Sequence, residues 1–264
     1  MSGRGGMLPG METSAFTDTL RTQGELLGDA AARTGLAAAV PSCPEWTLRD
    51  LLLHVGGVHR WAATVVGEAR AEPLGIAQPY DIVDELPADE ALVDWYRAGH
   101  AELVATLDRA PADLACWAFL GAPTPLAFWA RRQTHETAIH RVDAELAAGD
   151  RPTTAPPEVA TDGVDELLMG FLARGRRWHA QDDLSLHIST TDTDGHWLVR
   201  TSENRPLVER AAADAAAERT VSGPANDVYL ALWNRTPWDG LDVTGATPAE
   251  LAEQWAGAVH VRWG

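Results

Sequence analysis

Four long segments with helical periodicity, divided by proline- and glycine-rich breaks, constrain the fold of this chain more than any other feature. They cover residues 14–39, 47–66, 89–109 and 125–148. Apolar residues recur three and four positions apart within them, which is the spacing of one helix face. The second segment opens with Thr47-Leu48-Arg49-Asp50, which has the form of a capping box with Asp in place of the usual Glu. Short connections favour antiparallel neighbours, so the pattern predicts a four-helix bundle.

The sequence pattern changes from helical to strand-like near residue 180. A fifth helical segment spans roughly 158–179, and short alternating segments typical of strands follow it. Two of these segments, 184–188 and 197–200, flank Asp192-Thr193-Asp194-Gly195, which indicates a hairpin. The remaining predicted elements are strands at 220–222 and 241–243 and helices at 227–233 and 248–255.

The chain is therefore predicted to be mainly α, with two domains after a short leader. Residues 1–12 are glycine-rich and lack periodicity, so they are expected to be a disordered leader. A helical bundle domain is predicted over 13–180, and a small α+β domain over 181–264.

Composition excludes several classes of function. The 264 residues carry a net charge of −17, and every basic residue is arginine. Nucleic acid and anionic lipid both attract basic surfaces, so neither partner is expected. No apolar run approaches the ~20 residues of a membrane span, and no secretory signal pattern opens the sequence. Cys43 and Cys116 are too few for a disulfide framework. We expect a cytoplasmic protein, monomeric or homodimeric.

The fourth helical segment gathers polar residues on one face. At about 100° per residue, four side chains fall within an arc of about 60°: Trp129, Glu136, His140 and Asp143. The opposite side, with Ala138, Arg141 and Glu145, is expected to face solvent. Glu136 and His140 are four positions apart, so they could chelate one divalent cation from a single helix surface. The same spacing also describes an ordinary surface pair.

A third ligand would have to come from another helix, and the second helix offers His54 and His59. Helical phase slightly favours His59 as the more buried of the two. Either could instead be a hydrogen-bonded histidine of the core, which is the commoner outcome. His135 points about 100° away from Glu136 and is predicted to lie in the core or on a flank. Phase alone leaves the third ligand open.

Three stretches of the sequence resemble one known family. Residues 43–57 (CPEWTLRDLLLHVGG) closely resemble the entry to the second helix of mycothiol-dependent maleylpyruvate isomerases, which belong to the wider DinB-like four-helix metalloproteins. Residues 129–143 (WARRQTHETAIHRVD) are similar to the metal-binding helix of that family. Residues 223–235 (GPANDVYLALWNR) look like the signature of its C-terminal domain. The resemblance covers nearly the whole chain after residue 12.

The resemblance implies a metal site. It makes His54, Glu136 and His140 the ligands of a divalent metal, with zinc favoured and with open positions for water or a thiol. Asp143, one turn beyond His140, would orient that imidazole through its second nitrogen. Alternatively, Asp143 would form a plain salt bridge to Arg132 or Arg141.

Further roles follow from the same resemblance. His59 would lie behind the ligands or in the core. Arg235 would come from the C-terminal domain to hold a substrate carboxylate, or else would cap the helix that begins near residue 227. Trp46 and Trp129 would wall the pocket.

The implied chemistry is thiol activation. Zinc binds a thiol as the thiolate and keeps it nucleophilic at neutral pH, and the family implies mycothiol as that thiol. Addition to an activated alkene, rotation and elimination would isomerise a maleylpyruvate-like substrate, whereas transfer without elimination would make the protein an S-transferase. Two alternatives stay open: a non-catalytic metal- or ligand-binding module, and a metal-dependent hydrolase.

Overall fold

The computed structural model describes residues 11–76, 78–174, 184–201 and 206–259, which form two compact units. One unit comprises Glu12–Thr153 and the other begins at Thr154. The predicted mainly helical bundle followed by an α+β domain is confirmed. The predicted leader over 1–12, apart from Met11 and Glu12, lies outside the described residues, as does the predicted boundary at residue 180.

The first unit is a bundle of four long helices. They are α1 (Thr13–Thr34), α2 (Leu48–Gly67), α3 (Asp89–Arg109) and α4 (Pro125–Ala147), with a short 3-10 helix at Pro79–Ile82 in the connection before α3. Helix α4 packs against α1 and α2, and α3 closes the ring by packing against α1 and α2 as well. The side chains that α4 directs towards α2 therefore meet those of α2 inside the bundle.

Local capping signals explain where these helices begin and end. The Thr47 amide donates to Asp50 Oδ2 at 2.9 Å, which is half of the predicted capping box at the start of α2. Thr124 Oγ1 accepts from the Ala127 amide at 3.1 Å, and Pro125 occupies the first position of α4. The first helix was predicted to reach residue 39, which is wrong: it ends at Thr34, because Gly35 adopts φ 90°, a conformation open mainly to glycine.

Close approach of α2 and α3 depends on two glycines. A Cβ atom at Gly56 would collide with the ring of Trp95, and one at Gly99 would collide with the guanidinium of Arg60. Arg60 lies over the Trp95 ring, 3.7 Å from its centroid, and donates to the Trp95 carbonyl at 2.6 Å. The cation–π contact and the missing side chains therefore fix how these two helices meet.

Burial of α4 contradicts one expectation from its periodicity. Ala138, Arg141 and Glu145 were predicted to face solvent, but all three are buried. Arg141 Nη1 lies 2.5 Å from Glu145 Oε2, and Arg141 Nε donates to Gln23 Oε1 of α1 at 2.9 Å. Periodicity failed here because it reports which residues share a face and does not report what covers that face.

The second unit places helices around a five-stranded mixed sheet. Its strands are β1 (Ser185–Thr190), β2 (His196–Arg200), β3 (Leu207–Arg210), β4 (Arg219–Gly223) and β5 (Asp242–Thr244), in the order β3-β2-β1-β4-β5. The predicted hairpin is the antiparallel β1–β2 pair, whereas β1 and β4 run parallel. Strand β3 was not predicted. The helices are α5 (Pro157–Asp165), α6 (Ala225–Leu232) and α7 (Pro248–Ala258), and α5 continues as a π-helical turn at Glu166–Phe171 and a 3-10 turn at Leu172–Arg174.

Helix α5 belongs to this second unit in the structure, whereas its sequence pattern predicted it in the bundle domain. Asp165 at its end accepts hydrogen bonds from Trp197 Nε1 at 3.1 Å and from Arg210 Nη2 at 2.7 Å. These partners lie on β2 and β3, so the buried carboxylate ties α5 to the sheet. None of the helices within the described residues is long and apolar enough to cross a membrane.

We expect the loss of one partner of the buried pair of Arg141 and Glu145 to destabilise the protein strongly. Arg141→Ala should lower the free energy of unfolding by about 3–5 kcal/mol, because it leaves the buried Glu145 carboxylate without its counter-charge. Arg33, whose pair with Asp150 is 60% and 49% exposed, is the matched control. Arg33→Ala should change the free energy by less than about 0.5 kcal/mol. Urea unfolding followed by helical circular dichroism measures both, and similar values for the two variants would contradict the expectation.

Candidate metal centre

Three buried side chains from two helices converge inside the bundle. His54 Nε2 lies 3.2 Å from Glu136 Oε1, and His140 Nε2 lies 3.4 Å from the same oxygen. One ligand atom from each residue lies within 4.8 Å of the others. Because α4 packs against α2, the histidine contributed by α2 and the pair from α4 meet at one point. The predicted trio of His54, Glu136 and His140 is therefore brought together.

The Glu136 carboxylate divides its two oxygens between different partners. Arg132 Nη2 donates to Oε2 at 2.7 Å, while Oε1 faces the two imidazoles. Burial raises the pKa of this carboxyl, but its interactions with His140 and His54 and the charge of Arg132 outweigh burial, so the pKa lies well below its usual value. Glu136 is thus a carboxylate at neutral pH, and one oxygen is directed at the histidines.

His140 is held from the opposite side by Asp143. Its Nδ1 lies 2.8 Å from Asp143 Oδ2, and because a carboxylate can only accept, Nδ1 carries the proton. Asp143 thus contacts the second nitrogen of His140, and its role in orienting a metal ligand stays a prediction. Burial opposes a charge on His140, but the hydrogen bond to Asp143 and the nearby Glu136 raise its pKa to about 9. Within the described residues, the buried Nε2 of His140 has no hydrogen-bond partner.

The residues present fit a divalent metal ion. His140 Nε2 and Glu136 Oε1 face each other in the buried site, an arrangement that a positive charge stabilises. A proton on Nε2 supplies that charge in the metal-free protein, in line with the raised pKa of His140, and a divalent ion bound between the two atoms would supply it instead. A tetrahedral ion with ligand distances of about 2.0–2.2 Å separates its ligand atoms by roughly 3.3–3.6 Å. The observed 3.2 and 3.4 Å separations are close to this range. Two imidazoles and a carboxylate also form a donor set typical of zinc with an open coordination position.

The loop between α1 and α2 covers two of these side chains. The ring of Trp46 lies 4.9 Å from the His54 ring and 6.1 Å from the His140 ring, centroid to centroid. Ser42 Oγ donates to Asp143 Oδ1 at 2.5 Å. The Trp46 ring therefore lies beside two of the candidate ligands, and its role as a pocket wall stays a prediction. The contact of Ser42 was not predicted. Its only signal in the sequence was its place beside Cys43 in the stretch that resembles the known family.

The other candidate histidines lie away from the ligand atoms. His59 is buried, and its Nε2 lies 2.9 Å from Thr137 Oγ1. Its ring contacts those of Tyr96 and His100, so it is a core residue behind the site. His135 is also a core residue, with its ring edge-on to Phe16.

Trp129 and Arg235 each donate a hydrogen bond to a backbone carbonyl. Trp129 lies two turns before Glu136, where its ring packs with other aromatic rings and Nε1 donates to the Trp117 carbonyl at 2.8 Å. Arg235 follows the C-terminus of α6 and donates from Nη1 to the Trp233 carbonyl at 2.7 Å. This is the capping contact that was its alternative role. The approach of Arg235 to the metal ligands stays a prediction.

Together, the helical bundle with a buried His–Glu–His cluster and the following α+β unit define a two-domain protein with the side-chain chemistry of a metal site. The bundle matches the family model for the mycothiol maleylpyruvate isomerase N-terminal domain over residues 17–145, and residues 158–254 match the MDMPI C-terminal domain. These matches span most of the sequence. The chain belongs to the mycothiol maleylpyruvate isomerase family.

Solved structures share this architecture. Two are crystal structures of the mycothiol-dependent maleylpyruvate isomerase, one of them a histidine-to-alanine mutant. Each is 15% identical to this chain, covers 90% of it and 95% of its own length, and has a TM-score of 0.64. A comparison with curated proteins gives no match. At this identity the structural likeness establishes the fold.

Buried histidines make the stability of the metal-free protein depend on pH. Burial holds the pKa of His59 well below 6.5, so the unfolded chain takes up a proton that the folded chain refuses. The free energy of unfolding therefore has its full value with respect to His59 above about pH 6.5, and it decreases as the pH falls below that value. Each such group contributes a slope of up to about 1.4 kcal/mol per pH unit.

His59→Gln isolates this contribution, because the Gln amide can replace Nε2 as the partner of Thr137. In the variant, the slope of the free energy of unfolding against pH should be smaller between pH 5 and 6.5 by the amount that corresponds to about one bound proton. Urea unfolding with a chelator present measures this slope. His135→Gln, at another buried position of the same unit, serves as a comparison of packing cost. An unchanged slope for His59→Gln would contradict the assignment.

Proposed function

We propose that this protein is a zinc-dependent enzyme that uses mycothiol, activating the thiol for addition to a small electrophile. The reaction is either the isomerisation of a maleylpyruvate-like substrate or an S-transfer. The observation that carries the proposal is the convergence of buried ligand atoms from His54, Glu136 and His140 in a chain of this family.

The residues of the site would hold the metal and determine the net charge around it. His54 and His140 would bind through Nε2, and Glu136 through Oε1, because these are the atoms directed at one another. Metal binding would require both histidines to be neutral, and Arg132, Glu136 and Asp143 would then together carry one net negative charge. A bound divalent zinc supplies Lewis acidity that lowers the pKa of a thiol, and it leaves this group of residues with one net positive charge, which favours a thiolate.

Access to the site is expected from the side of His54 and Trp46. The side chain of His54 is 8% exposed, compared with 1% for His140 and 3% for Glu136. Trp46 is half-buried over both imidazoles. Its ring would exclude water beside the reacting thiol and strengthen the electrostatic interactions there.

Arg235 is the proposed carboxylate-binding residue of the substrate site. It is half-buried and carries five N–H donors, so a hydrogen bond to the Trp233 carbonyl is compatible with a bidentate contact to a carboxylate. The end of α6 restrains its backbone. Asn234 adopts φ 58°, and the Arg235 amide donates to the Leu230 carbonyl at 2.9 Å, as in a Schellman motif.

Metal analysis tests the first half of the proposal. Purified protein should contain one zinc per chain, and Glu136→Gln should reduce the content to background while preserving helical circular dichroism, because only two ligands are left. Glu68→Gln, an exposed position on the surface of the bundle, is the matched control and should retain zinc. Full occupancy in Glu136→Gln would point to other ligands.

Turnover assays with mycothiol test the second half. The zinc-loaded protein should act on maleylpyruvate or on another member of a panel of electrophiles. Arg235→Ala should lower kcat/KM by about 10–100-fold, the cost of losing a charged hydrogen bond, with metal content unchanged. Arg200→Ala, an exposed arginine of the same unit, should leave turnover intact. Unchanged turnover in Arg235→Ala would refute its role.

The products of the same assays separate the remaining functions. An isomerase regenerates mycothiol, whereas an S-transferase consumes it and forms a thioether. Hydrolysis without thiol would favour a metal-dependent hydrolase. A zinc-bound protein with no turnover of any electrophile would favour a non-catalytic binding module.

A further inference from the structure

We propose that Ser42 is a positioning residue of the metal centre, acting through Asp143 on His140. The inference rests on the proposed metal site, since His140 is one of its ligands. Ser42 Oγ donates to Asp143 Oδ1 at 2.5 Å, and Asp143 Oδ2 accepts from His140 Nδ1 at 2.8 Å. A continuous chain of hydrogen bonds thus runs from the loop between α1 and α2 to the imidazole.

The chain matters because a carboxylate rotates easily about its last torsion. The χ2 angle of Asp has a broad distribution, so a hydrogen bond to one oxygen leaves the plane of the carboxylate loosely defined. Ser42 and His140 engage different oxygens of Asp143, which is fully buried. Two directional contacts from separate segments therefore restrain the plane of the carboxylate and, through it, the orientation of the His140 ring.

Backbone hydrogen bonds within the loop restrain the position of Ser42. The Val40 amide donates to the Trp46 carbonyl at 2.9 Å, and the Trp46 amide donates to the Cys43 carbonyl at 2.8 Å. A β-bridge joins Ala39 to Thr47 just outside these contacts. Ser42 thus lies on a closed loop rather than on a free end. The same loop places the Trp46 ring beside His54 and His140, so one short segment restrains both imidazoles.

Loss of the hydroxyl should therefore weaken metal binding without removing a ligand. The hydrogen bond at Nδ1 fixes the tautomer in which Nε2 is free to bind, and partners that orient a ligand in this way typically contribute 10–100-fold in metal affinity. Ser42 is one hydrogen bond further from the ligand than Asp143. We expect about a tenfold weakening, the low end of that range.

The test measures the zinc dissociation constant by chelator competition in two variants of matched shape. Ser42→Val lacks the hydroxyl and should bind about tenfold more weakly, whereas Ser42→Thr keeps it and should bind like the wild type. Glu45→Ala, at an exposed position of the same loop, controls for disturbance of the segment. Thermal unfolding of the metal-free variants checks that each one folds.

A double-mutant cycle asks whether Ser42 acts through Asp143. Ser42→Val should cause no further loss of zinc affinity in an Asp143→Ala background, because the group that it orients is gone. An equal loss in both backgrounds would overturn the proposal and make Ser42 an ordinary loop residue. Equal affinities for Ser42→Val and Ser42→Thr would overturn it as well.

A readout on the metal-free protein separates this proposal from the proposed function. The imidazole proton of His140 Nδ1 should be protected from exchange in NMR spectra of the wild type and of Ser42→Thr, and should exchange faster in Ser42→Val. If the wild type binds no zinc but this difference holds, the metal proposal fails and the orienting role of Ser42 stands. If exchange is the same in all three proteins, the orienting role fails.

Discussion

The buried carboxylate of Glu136 is the constraint on which the rest of the bundle depends. An ionised carboxylate inside a protein costs several kcal/mol unless charges and donors compensate it. Arg132 and His140 compensate it from its own helix, one turn to each side, and His54 compensates it from α2. The relative position of α2 and α4 is therefore set by an electrostatic requirement as well as by apolar packing. The same requirement creates the cluster of potential metal ligands.

Helix α4 carries two separate groups of buried charged residues, and in each group an arginine compensates a glutamate. One contains Arg132 and Glu136. The other contains Arg141 and Glu145, with Gln23 of α1 as a further partner. Each group uses an arginine and a glutamate four residues apart, the spacing at which helical side chains meet. Such pairs let a helix with many charged residues lie in the interior of the bundle. From its sequence alone, the same helix is expected to be half exposed.

Features that depend on nearby residues could be predicted from the sequence. The starts of α2 and α4 and the hairpin of β1 and β2 follow from capping and turn residues within a few positions of each boundary. The pair of Glu136 and His140 also follows, because both lie on one helix. The choice of His54 over His59 does not follow from phase, since both residues are buried. Resemblance to a known family supplied it.

What only the tertiary structure decided involves partners far apart in the chain. His54 meets Glu136 across 82 positions, and Ser42 meets Asp143 across 101. Arg141 is buried for the same reason, because residues of α1 and of the segment after α4 cover it. Helical periodicity, which the sequence does determine, divides a helix into faces. It does not specify which other element covers each face, because that depends on how separate helices and loops pack together. The sequence therefore determined the helices and the candidate ligand pair on α4, while their packing decided the third candidate ligand and the loop that contacts the site.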